Sequence, residues 1–243
     1  MDRELSYVGR DLEAMSFAEN YHRWILSVFA PYLGTRLVEV GAGSGSFSGL
    51  LAGRSFQTLT LVEPSREMFE QLQQRVQTLD APGRIKTVEA VFVDVAAEIK
   101  SSERPDSIIY VNVLEHIADD EEELRTAHCT LARGGRLFLF VPALRWLHGS
   151  FDDHIGHHRR YTLGDLTGKC RRAGFEIVRA HYFDALGVAP WWIKYRLFKS
   201  ERMEPAAVKF YDKYVVPVAQ RIESVIPAKI GKNIILVAEK TAD

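Results

Sequence analysis

The chain is 243 residues long and carries 31 Lys+Arg against 32 Asp+Glu, a net charge of -1. That length buries a full core without disulfides or metals, and 47% hydrophobic with 26% charged residues excludes a disordered, collagen-like or coiled-coil chain. The balanced charge argues against a dedicated nucleic-acid binder, and no apolar run reaches the ~20 residues of a membrane span.

The start, Met1-Asp2-Arg3-Glu4, has no apolar h-region and is not expected to be a signal peptide. Two cysteines, Cys129 and Cys170, make neither a disulfide framework nor a metal spacing, so a reduced, cytoplasmic setting is expected. Residues 11–30 read as a helix, with Phe17, Tyr21, Trp24, Ile25 and Val28 at helical spacing, stopped by Pro31 and Gly34. Residues 36–40 form a short apolar strand that runs straight into Gly41-Ala42-Gly43-Ser44-Gly45, and 46–53 start a helix. A second strand over 57–62 ends at Glu63-Pro64; a helix from about Ser65 to Leu79 ends before Asp80-Ala81-Pro82-Gly83. A third strand is expected over about 85–93, and a fourth, Ser107 to Val111, leads to Asn112. An acidic helix over about 119–132 is closed by Gly134-Gly135, and a fifth strand, 136–141, is stopped by Pro142.

Strand and helix alternate strictly, and the strands read as buried on both faces, which predicts an α/β, doubly wound, mostly parallel sheet in one domain over 1–243. The tail differs: a strand at 175–183 and another at 233–239 flank a segment, 184–232, too long to be a structureless loop. Within it Pro190 fits the first turn of a helix running to about Lys199. Residues 205–226 read as a second helix that Pro217 is placed to kink.

Two features carry chemistry before any family is considered. The glycine loop sits at the carboxyl end of the first strand and before a helix, the ligand crevice of an open α/β sheet. Its spacing is GxGxG, with Ser46 where a dinucleotide fingerprint wants glycine. Glu63 ends the second strand beside that loop, where a carboxylate can accept both hydroxyls of a ribose.

In order and spacing, Val38-Glu39-Val40-Gly41-Ala42-Gly43-Ser44-Gly45, Leu61-Val62-Glu63-Pro64, Val93-Asp94-Val95, Asn112-Val113-Leu114-Glu115-His116-Ile117 and Leu131-Ala132-Arg133-Gly134-Gly135-Arg136-Leu137 resemble the class I S-adenosylmethionine-dependent methyltransferases. The resemblance implies a seven-stranded sheet with an antiparallel last strand. It implies S-adenosyl-L-methionine as cofactor: Glu39 and the backbone around Gly41 and Gly43 on its methionine part, Glu63 on the ribose, Asp94 by the adenine amino group and Asn112 at the methionine end. Residues 142–162, with Gly156-His157-His158-Arg159-Arg160-Tyr161-Thr162, are similar to small-molecule methyltransferases found beside glycosyltransferases in bacterial glycan and secondary-metabolite clusters. In that subgroup the helix around Asn20-Tyr21-His22-Arg23-Trp24 recurs, so Tyr21 and Trp24 are expected to cover the cofactor.

The expected reaction is methyl transfer to a small-molecule acceptor, most simply a hydroxyl of a sugar or glycosylated metabolite. A hydroxyl sheds a proton as it reacts, which favours a nearby general base, and histidine titrates in the right range. His157 or His154 is the expected base, with Asp153 as its orienting partner; Arg159 and Arg160 could bind an anionic acceptor group. Two other readings of this loop stay open: a set of contacts that locks it together, and a metal site built on its histidines and aspartates. No metal is expected. The 184–232 insert reads as a lid over the acceptor pocket, with contact to a membrane surface or a second copy as alternatives; the C-terminal stretch 194–243 holds ten Lys+Arg against six Asp+Glu, a mild positive bias. The acceptor could be glycosylated or lipid-linked; N- or C-methylation of another small molecule and a non-catalytic cofactor-binding partner protein are the competing functions.

Overall fold

Apolar runs that must bury both faces have one economical solution, a central sheet covered by helices on each side, and the computed structural model, which describes residues 18–80 and 82–241, has that form. Five parallel strands come first: β1 (Arg36–Val40), β2 (Thr58–Val62), β3 (Ile85–Val88), β4 (Ser107–Val111) and β5 (Arg136–Pro142). β6 (Phe175–Phe183) and β7 (Asn233–Lys240) complete a seven-stranded sheet in the order β3-β2-β1-β4-β5-β7-β6. β7 runs antiparallel to both β5 and β6, as the resemblance implies.

The helices divide between two layers. On one face α1 (Glu19–Phe29), α2 (Ser46–Ala52) and α3 (Arg66–Val76) bury Trp24, Ile25, Leu51 and Leu72 against Leu37, Leu59 and Ile109. On the other, α4 (Phe92–Glu103), α5 (Asp120–Thr130) and α7 (Leu163–Arg172) bury Phe92, Ile99, Leu124 and Leu166 against Val38, Ile108 and Tyr110. Alternate strand residues thus feed opposite cores, the period-2 rule at work. Of the helix expected over 11–30, the part before residue 18, with Phe17, lies outside the described residues.

One expectation fails. The third strand does not run to 93 but stops at Val88, because its parallel partner β2 ends at Val62, paired with Val88. Beyond that no ladder remains, and Val91-Phe92-Val93-Asp94-Val95 turns into α4, whose Phe92, Ala96 and Ile99 are buried at helical spacing.

The short helix α6 (Ser150–His154) lies in the loop after β5. The insert between β6 and β7 is helical. α8 (Val188–Trp191) continues as a π-turn over Trp192–Leu197. α9 (Pro205–Phe210), a π-turn over Tyr211–Val215 and α10 (Val216–Val225) form one further rod. Pro217 can donate no N–H and crowds the carbonyl four residues earlier; the widened turn just before it absorbs that misfit without breaking the rod.

Candidate functional site

At the carboxyl ends of β1, β2, β4 and β5, under the insert, lies a cavity of about 740 Å³, within the usual range for ligand pockets. The glycine loop forms one wall. Gly41 has φ +68°, and a Cβ there would meet Val113 at 2.5 Å. Gly43, at φ +56°, has open space where a Cβ would sit. Both positions need glycine, one for packing and one for its left-handed backbone.

Two carboxylates face this loop. Glu63 accepts the Gly43 N–H at 2.8 Å on one oxygen and the Ser65 N–H at 2.8 Å on the other. Burial pushes its carboxyl up, against the pull of those two N–H groups. Glu39 is buried, accepts the Ser48 hydroxyl at 2.6 Å, and burial pushes it up to about 8. Asn112 lines the cavity at the end of β4 with φ +54°, a conformation that asparagine tolerates better than most side chains. Tyr21 lines it from α1, next to His22, whose burial lowers it to about 4.

The loop after β5 closes the other wall. His157 is 7% exposed and its Nδ1 donates to Asp152 Oδ1 at 2.7 Å. Asp152 also accepts from Arg160 Nε at 2.8 Å and from the Gly149 N–H at 3.0 Å. Burial alone would push the Asp152 carboxyl up, but the His157 hydrogen bond and the Arg160 charge outweigh it and hold the group below its ordinary value. His157 is lowered, chiefly by burial. Its Nε2 lies 3.7 Å from Glu115 Oε1. Among the described residues, neither oxygen of Glu115 has a hydrogen-bond partner, and burial pushes the group up to about 8. His116 packs edge-on to His157 with ring centroids 4.6 Å apart, and burial takes it down to about 3. Glu115, His116 and His157 could each offer one ligand atom to a metal ion, those atoms lying within 4.8 Å of one another.

The rest of the loop is a lock. Arg159 pairs with Asp120 at 2.8 Å and donates to the carbonyls of Ile117 and Ala118. The Tyr161 hydroxyl donates to the same Asp120 at 2.8 Å, and its backbone bridges to the end of β5 at Ala143. The Thr162 hydroxyl caps α7 by accepting from the Asp165 N–H.

The insert is tied down by charges at its own cavity face. Asp212, in the π-turn, accepts the N–H groups of Asn20 and Tyr21 at 3.1 and 2.8 Å. It thereby caps α1, whose own N-cap residue, Ala18, cannot. Asp184 accepts from the hydroxyls of Tyr21 and Tyr211 and pairs with Lys232 at 3.2 Å. Lys232 in turn lies over the rings of Tyr21, Trp191 and Tyr211.

Seven of the expected site residues thus line one cavity: Tyr21, Glu39, Gly41, Gly43, Glu63, Asn112 and His157. Four do not. Trp24 packs in the core against Phe183, ring centroids 3.9 Å apart; it lies one helical turn beyond Tyr21 on the same face, its ring edge-on to Tyr21 at 6.0 Å, and only Tyr21 reaches the cavity. Asp94 is exposed in the first turn of α4, since the early end of β3 swings it away and leaves Val91, Phe92 and Val93 on the cavity. Asp153 points to solvent and accepts from His148 at 2.8 Å, so the partner of His157 is the preceding aspartate. His154, at the end of α6, is exposed and outside the lining. The sequence reading missed Asp152, Glu115, His22 and Lys232. Asp152 and Glu115 stood beside residues already singled out; which of two adjacent acids turns inward depends on a five-residue helix that has no sequence period to read.

A model of the methyltransferase domain family matches residues 10–180. The tRNA U34 carboxymethyltransferase of Psychrobacter arcticus is 27% identical over 191 residues, 70% of this chain and 53% of that protein. The chain spans about half the length of the curated relatives it matches. Among solved structures, a Haloferax volcanii methyltransferase in complex with the Trm112 methyltransferase activator superposes with a TM-score of 0.64 at 15% identity, covering 97% of this chain and 95% of that one. A geranyl diphosphate methyltransferase in complex with S-adenosylmethionine superposes at 0.63 and 13% identity, covering 92% and 85%. At such identities these two likenesses speak for the fold.

Proposed function

Because the chain belongs to the S-adenosylmethionine-dependent methyltransferases, we propose that it methylates a hydroxyl of a small-molecule acceptor, a sugar or glycosylated metabolite, with His157 as general base. The observation that carries this reading is the buried His157–Asp152 pair at the cavity wall. A base so covered suits an acceptor small enough to enter beneath the insert. The sugar assignment rests on the resemblance of the 156–162 loop.

The residues suit the cofactor. The open space at Gly43 admits a close approach, Glu63 keeps free lone pairs beyond its two N–H bonds for ribose hydroxyls, and Glu39 faces the end where an ammonium group would sit. Adenine falls to the apolar turn at Val91–Val93 rather than to Asp94. When bound, the cofactor supplies an activated methyl group for in-line displacement, so the protein mainly positions and deprotonates the acceptor. Asp152, ionised and holding Nδ1–H, fixes the tautomer that leaves Nε2 as the basic nitrogen. Nε2 would take the proton of the acceptor hydroxyl, and Asp152 would stabilise the resulting imidazolium. Glu115, protonated at neutral pH, is a donor to the acceptor rather than a competing base.

The test is His157→Ala. General-base loss costs typically ~10²–10⁴-fold in kcat, with cofactor affinity unchanged. His154→Ala and Asp153→Ala should leave kcat near wild type. Full kcat in His157→Ala would end the general-base reading, and loss of turnover on chelation with recovery on added divalent ion would reassign Glu115, His116 and His157 as metal ligands.

A further inference from the structure

The insert is apolar on two sides, and only one of them is used. Its inner face covers the cavity through Trp191, Tyr195, Val208 and Tyr211. Its outer face is bare. Of the sixteen large apolar side chains left exposed among the described residues, eleven fall between Trp192 and Ile230. Phe210, Tyr214, Val218, Ile222 and Val225 recur every three or four positions and so run as one stripe along the rod, with Phe210 and Tyr214 rings 5.1 Å apart. Trp192, Ile193, Leu197 and Phe198 add a second exposed cluster on the preceding helix, Phe198 at 74%. No helix among the described residues is long and apolar enough to cross a membrane.

Charge decides what this face meets. Residues 184–232 carry nine Lys+Arg against five Asp+Glu in a chain of net charge -1, so the remainder of the molecule is acidic. The imbalance is sharper at the surface: Asp184 and Asp212 are buried at the cavity side, while Arg196, Lys199, Arg202, Lys213, Arg221 and Lys229 are exposed. A symmetric dimer through this face would set the cations of one copy against those of the other. An anionic lipid surface offers the opposite charge and an apolar layer at once, the combination that holds helices of this composition in the plane of a bilayer interface. We propose that the outer face of the insert docks the protein on anionic membrane surfaces, with the cavity entrance held next to the lipid. This surface does not depend on which acceptor is methylated.

The experiment is co-sedimentation of the whole chain with vesicles of equimolar phosphatidylcholine and phosphatidylglycerol, against phosphatidylcholine alone. The wild type is expected to bind the anionic vesicles and to release at high salt. Leu197→Asp with Phe198→Asp, both exposed, should abolish binding. Lys199→Gln with Lys213→Gln should weaken it roughly thirtyfold, at about 1 kcal/mol per cation. All variants should keep wild-type S-adenosylmethionine affinity, which separates lost docking from lost folding and from any failure of the proposed chemistry. A wild type that stays in the supernatant, an aspartate pair that binds as tightly as wild type, or a dimer in light scattering that the aspartate pair dissolves would each overturn the proposal.

Discussion

Glu39 is a buried carboxyl on the cavity wall. At neutral pH it is mostly protonated, with a value near 8 set by burial. A cationic ligand beside it favours the ionised form, so binding S-adenosylmethionine at pH 7 should release a proton, and affinity should climb with pH until about 8. Calorimetry in buffers of different ionisation enthalpy reads this directly; a buffer-independent heat would remove Glu39 from the cofactor's charge balance. Glu63→Ala should weaken the same binding by about 1.5–3 kcal/mol, the range for hydrogen bonds to a charged group. Trp24 gives the contrasting outcome. Buried against Phe183, it should cost about 3–5 kcal/mol of stability on truncation to alanine, as read by denaturant unfolding, with little change in cofactor affinity per folded molecule. The glycine-loop wall of the cavity was legible in the sequence because a GxGxG turn and a strand-ending acid are local features. Trp24 and Asp94 lie off the cavity for reasons no local pattern carries: Trp24 sits a helical turn deeper than Tyr21, against Phe183, and β3 ends early for want of a longer partner, which turns Asp94 into the next helix.

At the scale of elements, the loop from 148 to 162 does two jobs with neighbouring residues. Arg159 and Tyr161 bind Asp120 and hold the loop to the start of α5, while His157 and Arg160 converge on Asp152 at the cavity. The sequence offered catalysis, locking and metal binding as three readings of this segment; the contacts of Arg159 and Tyr161 are those of a lock, and His157 stands at the cavity with Asp152, Glu115 and His116. The insert is joined to α1 in a similarly specific way, by two carboxylates, Asp212 on the N–H groups of Asn20 and Tyr21 and Asp184 on the Tyr21 hydroxyl. Asp212→Ala should cost about 0.5–2 kcal/mol, the usual worth of a helix N-cap, and should loosen the roof of the cavity. Hydrogen exchange at the amides of Asn20 and Tyr21 would show it; unchanged protection there would mean that Asp212 does not act as the cap of α1. That insert was foreseeable as helical from its length and from Pro190. Its attachment was not, because the contact joins residues 191 and 192 positions apart.

Among the described residues, three acids are pushed by burial to about 7 or 8. Glu39 and Glu115 are pushed up to about 8 and Glu123 to about 7, each first by burial. A folded-state value above the unfolded one contributes stability that is fully present below the unfolded carboxylate range and is lost as pH rises through the folded value. The ligand-free protein should therefore have a higher Tm near pH 6 than near pH 9, and Glu39→Gln with Glu115→Gln should flatten that slope. A Tm that rises over this interval would contradict the buried acids. The fold itself was legible almost throughout, since strict alternation of apolar strands with helices leaves few topologies.

The most direct measurement is transfer of a labelled methyl group from S-adenosylmethionine by wild type and His157→Ala, offered small-molecule sugar acceptors and, separately, bulk tRNA. The expected result is label in the small-molecule fraction, a loss of ~10²–10⁴-fold in the variant, and a wild-type rate that falls on acidification through a value below the ordinary imidazole range, because burial lowers His157. Label confined to tRNA, or a His157→Ala variant with undiminished turnover, would contradict it.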